Sequence, residues 1–170
     1  DNPYRDYYIW RQGKDGGAPN NWQSFFTGPA WELDPATGEY FLHLFSKRQP
    51  DLNWENPKVR RAVFDMMHWW LKRGVDGFRM DVINMLSKVP GLPDAEPVDG
   101  KRHVQGSEHF ICGPRLSEFL AEMKSDVLSK YDILTVGETP MVSPEDAIDL
   151  THEETGALNM VFQFEHMDVD

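Results

Sequence analysis

The clearest periodic signal in the chain begins at Asn56-Pro57. Val63, Met66, Met67, Trp70 and Leu71 follow at i, i+3, i+4, i+7 and i+8, the spacing of one apolar stripe on a helix. Asn56 suits the N-cap. Pro57 suits the first helical position, where a missing N–H costs nothing, and Gly74 suits the stop. A second stripe of Leu116, Phe119, Leu120, Met123 and Val127 follows Pro114, and Ser143-Pro144-Glu145 opens a third, short helix by the same cap logic. Between these helices lie short apolar runs of strand type, over 75–82, 133–136 and 158–164. From residue 57 the order is α-β-α-β-α-β. That alternation predicts parallel strands with crossover helices, and a doubly wound sheet or part of a (β/α)8 barrel both satisfy it.

The first 55 residues have another character. Gly13, Gly16-Gly17, Pro19-Asn20-Asn21, Gly28-Pro29 and Asp34-Pro35-Ala36-Thr37-Gly38 are turn and loop signals. One strand stands out between them, Tyr40-Phe41-Leu42-His43-Leu44-Phe45, and Ala30-Trp31-Glu32-Leu33 before the turn completes a short antiparallel hairpin. The reading is a loop-rich subdomain over 1–55 and a β/α region over 56–170. Residues 87–113 hold Pro90, Pro93 and Pro97 with little periodicity, and a loop of that length is usually functional or disordered. Trp69-Trp70 read as helix packing, Met66-Met67 and Met80 as core filler, and His68 as a structural histidine within its helix.

Composition narrows the partners. Against 17 Lys and Arg stand 28 Asp and Glu, a formal charge of −11, so no basic stripe is available for nucleic acid or an anionic membrane. A neutral substrate is compatible with that charge. No apolar run approaches the roughly 20 residues of a membrane span. The single cysteine, Cys112, cannot form an internal disulfide, which points to a reducing compartment and a cytoplasmic location. The six histidines are scattered without metal-ligand spacing, and no Gly-rich nucleotide loop occurs, so neither a metal nor another cofactor is expected.

The candidate chemistry lies at two strand ends. Gly77-Phe78-Arg79-Met80-Asp81-Val82-Ile83-Asn84 places an arginine two residues before a carboxylate, hence on the same side of a strand. Leu134-Thr135-Val136-Gly137-Glu138-Thr139-Pro140 ends the next strand on a second carboxylate. Barrel enzymes gather their functional groups at the C-terminal ends of strands, and neighbouring strands lie about 4.8 Å apart. Two carboxyl groups rooted there can approach to roughly 5 Å, the spacing of a retaining glycosidase. Arg79 would hold Asp81 ionised, as a nucleophile requires. Glu138, raised by burial and by the charge on Asp81, would serve as general acid. A barrel-interior ion pair beside an unrelated loop acid is the plainer alternative.

The segment 77–84 resembles the nucleophile motif of glycoside hydrolase family 13, the α-amylase superfamily, and Val136-Gly137-Glu138 resembles that family's acid/base motif. Gln49-Pro50-Asp51-Leu52-Asn53-Trp54 resembles a motif typical of the oligo-1,6-glucosidase subfamily. The run from Leu158 to Asp168 resembles the sixth-strand region. The resemblance implies that Asp81 is the nucleophile, Glu138 the acid/base and Arg79 the residue orienting the nucleophile. It implies that Phe26 and Phe45 are aromatic walls around a terminal glucose, with Gln49 a polar contact. Val82, directly after the nucleophile, is implied to favour α-1,6 linkages. Residues 1–55 correspond to part of the B-type subdomain and 56–170 to about strands four to six of the barrel. The family's third-strand and seventh-strand motifs are absent, so the chain is expected to be a central fragment, inactive alone and in need of the remainder of its barrel. Any structural calcium of the parent would lie outside this segment. The implied activity is retaining exo-hydrolysis of α-1,6-linked gluco-oligosaccharides. The alternatives are a sucrose isomerase or α-1,4-glucosidase on the same scaffold, or a non-catalytic binding subunit.

Overall fold

The Asp34–Gly38 turn reverses the chain between two strands in the computed structural model, which describes residues 2–164. The Asp34 carboxylate accepts the Ala36 N–H at 3.0 Å and the Thr37 hydroxyl at 2.8 Å, fixing the turn locally. The strands it joins are β2, Trp31–Leu33, and β3, Glu39–Leu42, paired antiparallel with Trp31 opposite Leu42 and Leu33 opposite Tyr40. A third strand, β1 (Trp10–Gln12), pairs with the other edge of β3, giving the order β1-β3-β2. Sequence reading does not find β1, because it is three residues long and Arg11 and Gln12 face solvent.

This sheet belongs to a unit comprising Asp1–Val59 and Val89–His109. The proline-rich segment is held inside it by side chains that read only as turn formers. Asn20 Nδ2 donates to the Leu92 carbonyl (3.0 Å), and the Asn21 amide both donates to the Ala95 carbonyl (2.9 Å) and accepts the Ala95 N–H (2.8 Å). The Trp22 indole, fully buried, donates to the Pro93 carbonyl at 2.9 Å and stacks on His109. A segment without periodicity of its own is thus ordered by amide side chains elsewhere in the unit.

The second unit comprises Arg60–Lys88 and Phe110–Asp170. The helix leading into it, α1, spans Pro57–Leu71. Asn56 Oδ1 caps it by accepting the Lys58 N–H at 3.0 Å, and Gly74, at φ 89°, ends it by donating to the Leu71 carbonyl at 3.0 Å. Its buried face runs through Phe64, Met67 and Leu71, at i, i+3 and i+7. That corrects the expected stripe: Phe64 sets its phase, and Met66, Trp69 and Trp70 fall to its side, each nearly half exposed. The two tryptophans meet edge to face at 4.7 Å, with Arg73 over the Trp69 ring at 3.4 Å, rather than filling a helix interface. His68 meets the Tyr131 hydroxyl at 2.8 Å, in keeping with its structural reading.

Three parallel strands follow, β4 (Gly77–Met80), β5 (Leu134–Glu138) and β6 (Met160–Phe162), hydrogen-bonded in chain order. Helix α2 (Leu116–Asp126) connects β4 to β5 and buries Leu116, Phe119, Leu120 and Met123, as its spacing predicts. Helix α3 (Pro144–Thr151) connects β5 to β6 and opens on a capping box, with Ser143 Oγ accepting the Asp146 N–H and Asp146 Oδ2 accepting the Ser143 N–H, both at 3.0 Å. Arg60 of α1 bonds Glu122 of α2 at 2.5 Å and covers the Phe119 ring. Strands β4 and β6 are shorter than the apolar runs that predict them, whereas β5 runs on to Glu138. Glu165, His166, Met167 and Asp168 of the expected sixth-strand motif lie outside the described residues. Among those described, no helix is long and apolar enough to cross a membrane.

The start of β4 tolerates one residue type. Gly77, opposite Leu134 in the register, has φ 155°, and a Cβ there would lie 1.8 Å from the Leu134 carbonyl oxygen. A backbone atom cannot step aside without breaking the β4–β5 ladder. Gly77→Ala is therefore expected to destabilise the fold by about 3 kcal/mol, the upper end of ordinary overpacking, read as a lower denaturant midpoint. A midpoint equal to wild type would contradict the close approach.

Candidate active site

The register of the parallel sheet brings the two carboxylates together. Met80 pairs with Gly137, so the next residue on each strand, Asp81 and Glu138, leaves the sheet beside the other at the C-terminal end. Arg79 bridges them. Its Nη1 donates to Asp81 Oδ1 and its Nη2 to Glu138 Oε2, so one planar guanidinium holds both acids through separate prongs of its fork. Phe162, which pairs with Glu138 across β5–β6, packs its ring 5.3 Å from the Arg79 guanidinium carbon. The sequence reading missed Phe162. Its signal lay in the parallel register, which sets the end of the third strand against the end of the second.

The two acids occupy different environments. The Asp81 side chain is 72% exposed and that of Glu138 only 13%. A hydrogen bond from the Glu138 carboxyl, and then the Arg79 guanidinium, hold Asp81 below the usual aspartate range. Burial first, and then hydrogen bonding to Asp81, push Glu138 above the usual glutamate range, although Arg79 and the Val82 N–H pull the other way. One carboxyl is thus shifted toward losing its proton and its neighbour toward keeping it. That division suits a nucleophile beside a general acid.

The chain between these groups is tightly shaped. Val82 sits at φ 38°, ψ 44°, a left-handed conformation that is rare and unfavourable for a β-branched residue. It turns the chain out of β4 into a short 3-10 turn, Ile83–Met85, buried throughout. Gly137 makes room for that turn, since a Cβ there would lie 2.6 Å from Leu158 Cδ1 and 3.0 Å from Ile83 Cγ2.

Arg79, Asp81, Val82 and Glu138 all belong to the second unit. Phe26, Phe45 and Gln49 belong to the first. There Phe45 stacks on Phe25 at 5.1 Å and meets Phe26 edge-on at 5.8 Å, leaving Phe26 63% exposed. Ser24 steadies this aromatic cluster by donating from its hydroxyl to the Phe45 carbonyl at 2.7 Å. Gln49 follows in an exposed turn, its N–H donating to the Ser46 carbonyl at 2.8 Å. Among the described residues, no group of three His, Cys, Asp or Glu side chains could hold a metal ion.

Parallel strand–helix units with two carboxylates at adjacent strand ends are the arrangement expected of a piece of a (β/α)8 barrel domain. The chain belongs to the alpha-amylase catalytic-domain family, whose profile matches residues 1–170. It is 68% identical, over all of its length, to an oligo-1,6-glucosidase of Parageobacillus thermoglucosidasius, of which it covers 30%. The trehalose-6-phosphate hydrolase structure from Bacillus licheniformis superposes on the whole chain with a TM-score of 0.92 at 47% identity, again over 30% of that protein. The isomaltulose synthase structure from Erwinia rhapontici superposes on 97% of it, and 29% of that protein, with a TM-score of 0.88 at 45% identity. The chain therefore spans about a third of the length of these relatives. Its fold is a partial (β/α)8 barrel with a loop-rich subdomain, which excludes the doubly wound alternative.

The shared guanidinium makes a signed prediction. In Arg79→Ala, Asp81 loses a cation that lowers its pKa, and Glu138 loses the main opposing influence on its raised one. Both titrations are expected to move to higher pH, as read by carboxyl 13C NMR. Downward movement of either would mean that Arg79 is not the common partner.

Proposed function

We propose that the protein carrying this chain is a retaining exo-α-glucosidase acting on α-1,6-linked gluco-oligosaccharides. The observation that carries this reading is the Arg79-bridged pair of unlike carboxylates. Asp81, ionised, attacks the anomeric carbon and displaces the leaving oxygen, which Glu138 protonates. Glu138, now a base, then takes a proton from the water that cleaves the glycosyl-Asp81 ester. Both acids stem from hydrogen-bonded neighbouring strands, and the resulting closeness favours this two-step route over inversion, which needs a gap for water.

Val82 supports the linkage assignment. A branched side chain directly after the nucleophile, held in an unusual backbone conformation, reshapes the space beside the leaving group. The high identity to an oligo-1,6-glucosidase supports it as well. In the first unit, exposed Phe26 and its neighbour Phe45 offer ring faces for a sugar, with Gln49 as a polar contact. The half-exposed Met66, Trp69 and Trp70 of α1 and the exposed Ile148 of α3 fit helix faces covered by the remaining strand–helix units of a complete barrel. A cytoplasmic location belongs to the same reading, resting on the single cysteine. An isomerase reading has its own support in the likeness to isomaltulose synthase, and product analysis separates the two.

The test is turnover of isomaltose, maltose and sucrose by the full-length protein. Glucose released from isomaltose is expected; turnover of maltose alone would remove the α-1,6 assignment, and isomeric disaccharides from sucrose would favour the isomerase. Asp81→Asn is expected to abolish nearly all activity. Glu138→Gln should slow isomaltose by about 100-fold or more, yet affect an activated aryl glucoside much less, because such a leaving group needs little protonation. In the pH profile, activity should fall on the acid side as pH drops through the lowered Asp81 pKa. It should fall on the basic side as pH rises through the raised Glu138 pKa.

A further inference from the structure

Three residues beyond Asp81, Asn84 is fully buried although its side chain is polar. Its Nδ2 donates to the carbonyl of Pro140 at 2.8 Å, and Pro140 lies two residues beyond Glu138. A carbonyl oxygen only accepts, so the amide nitrogen must face it and the orientation of the side chain is fixed by chemistry. Asn84 Oδ1, buried on the other side, has no hydrogen-bond partner among the described residues. A buried amide with one unsatisfied oxygen is a costly choice where an apolar residue of the same size would fit. That cost argues that the remaining bond has a use.

The same short segment is anchored elsewhere. The Asn84 carbonyl accepts the Cys112 N–H at 2.9 Å, and Ser87 Oγ accepts the Arg115 N–H at 2.9 Å, tying residues 84–87 to the approach to α2. Of these anchors, only the Asn84 side chain reaches the loop that follows β5. The geometry points to Asn84 as a positioning residue that clamps the loop bearing Asp81 to the loop bearing Glu138 and so sets the separation of the two carboxyls. This rests on the functional reading of that pair given above. Asn84 touches neither acid. It acts through the Asp81–Asn84 turn on one side and the Glu138–Pro140 segment on the other. Among the described residues, the charged groups acting on Glu138 are Asp81 just beyond β4 and Arg79 on β4, and both are carried by the strand whose exit Asn84 secures.

The test uses the full-length protein with Asn84→Leu, which keeps the branched heavy-atom skeleton and removes the donor, and Asn84→Ala should the bulkier leucine not fold. Carboxyl 13C NMR titration of Asp81 and Glu138 is read first. With the clamp gone the two carboxyls separate, so Asp81 should titrate higher and Glu138 lower, each moving toward its ordinary range. The basic limb of the pH–rate profile should shift to lower pH. The kcat should fall by about 10- to 100-fold, the cost of a misplaced reacting group, with KM changed much less. Unmoved carboxyl titrations overturn the inference whatever the rate does, and a change confined to the denaturation midpoint reduces Asn84 to a packing residue. The titration does not depend on turnover. A wild-type protein that hydrolyses no α-glucoside would refute the functional reading, while the NMR result still decides whether the clamp exists.

Discussion

One guanidinium organises the pair of carboxylates at the strand ends. Arg79 meets Asp81 and Glu138 at once and offsets part of the repulsion between them. Yet the cation does not treat them alike, because their surroundings differ. Asp81 is open to water and takes a hydrogen bond from its neighbour as well as from Arg79, and these two bonds add to lower its pKa. Glu138 is nearly enclosed, and burial outweighs the attraction of the same arginine. The opposite shifts of the two acids therefore come from unequal burial around a shared cation, not from any difference between aspartate and glutamate as acids.

Placing those three groups depends on backbone features with narrow tolerance. Gly77 lets β4 approach the Leu134 carbonyl, which sets the register that brings Asp81 beside Glu138. Gly137 leaves room for Ile83 and Leu158 at the point where the chain turns away from β4. Val82 makes that turn in a left-handed conformation at a cost of about 1–2 kcal/mol, which the surrounding packing must offset. The buried residues Ile83, Asn84 and Met85 are the visible source of that compensation. Strain next to reacting groups persists only where neighbours over-determine it.

The sequence made much of this legible, and the failures have physical causes. The stripe of α2 and the capping box of α3 are local signals, and both appear where their spacing and chemistry put them. The stripe of α1 was only half legible, since Met66 and Trp70 fit helical spacing as well as Phe64 does, and periodicity cannot choose between two overlapping apolar faces. The strand β1 was too short and too polar to register. Asn20 and Asn21 read as turn residues because that is their commonest use, whereas here their amides hold residues 92–95, more than seventy positions away. Within the site, Arg79, Asp81 and Glu138 were visible as a motif. The left-handed Val82, the ring of Phe162 over Arg79 and the reach of Asn84 to Pro140 were not, because each exists only once two strands lie side by side.

That distinction bears on how the pair could be tuned. Substituting the acids or the arginine removes the chemistry itself. Residues that act through the backbone, such as Asn84, Gly137 and Val82, can change how far apart the carboxyls stand while leaving both in place. Separation controls two quantities together: the mutual influence of the acids, and the room available between them for a water or a leaving group. A small displacement would therefore alter the proton affinities of the two acids and the room between them at the same time. Within this sheet, the residues that set the spacing of the acids are thus better placed than the acids themselves to tune how strongly each influences the other.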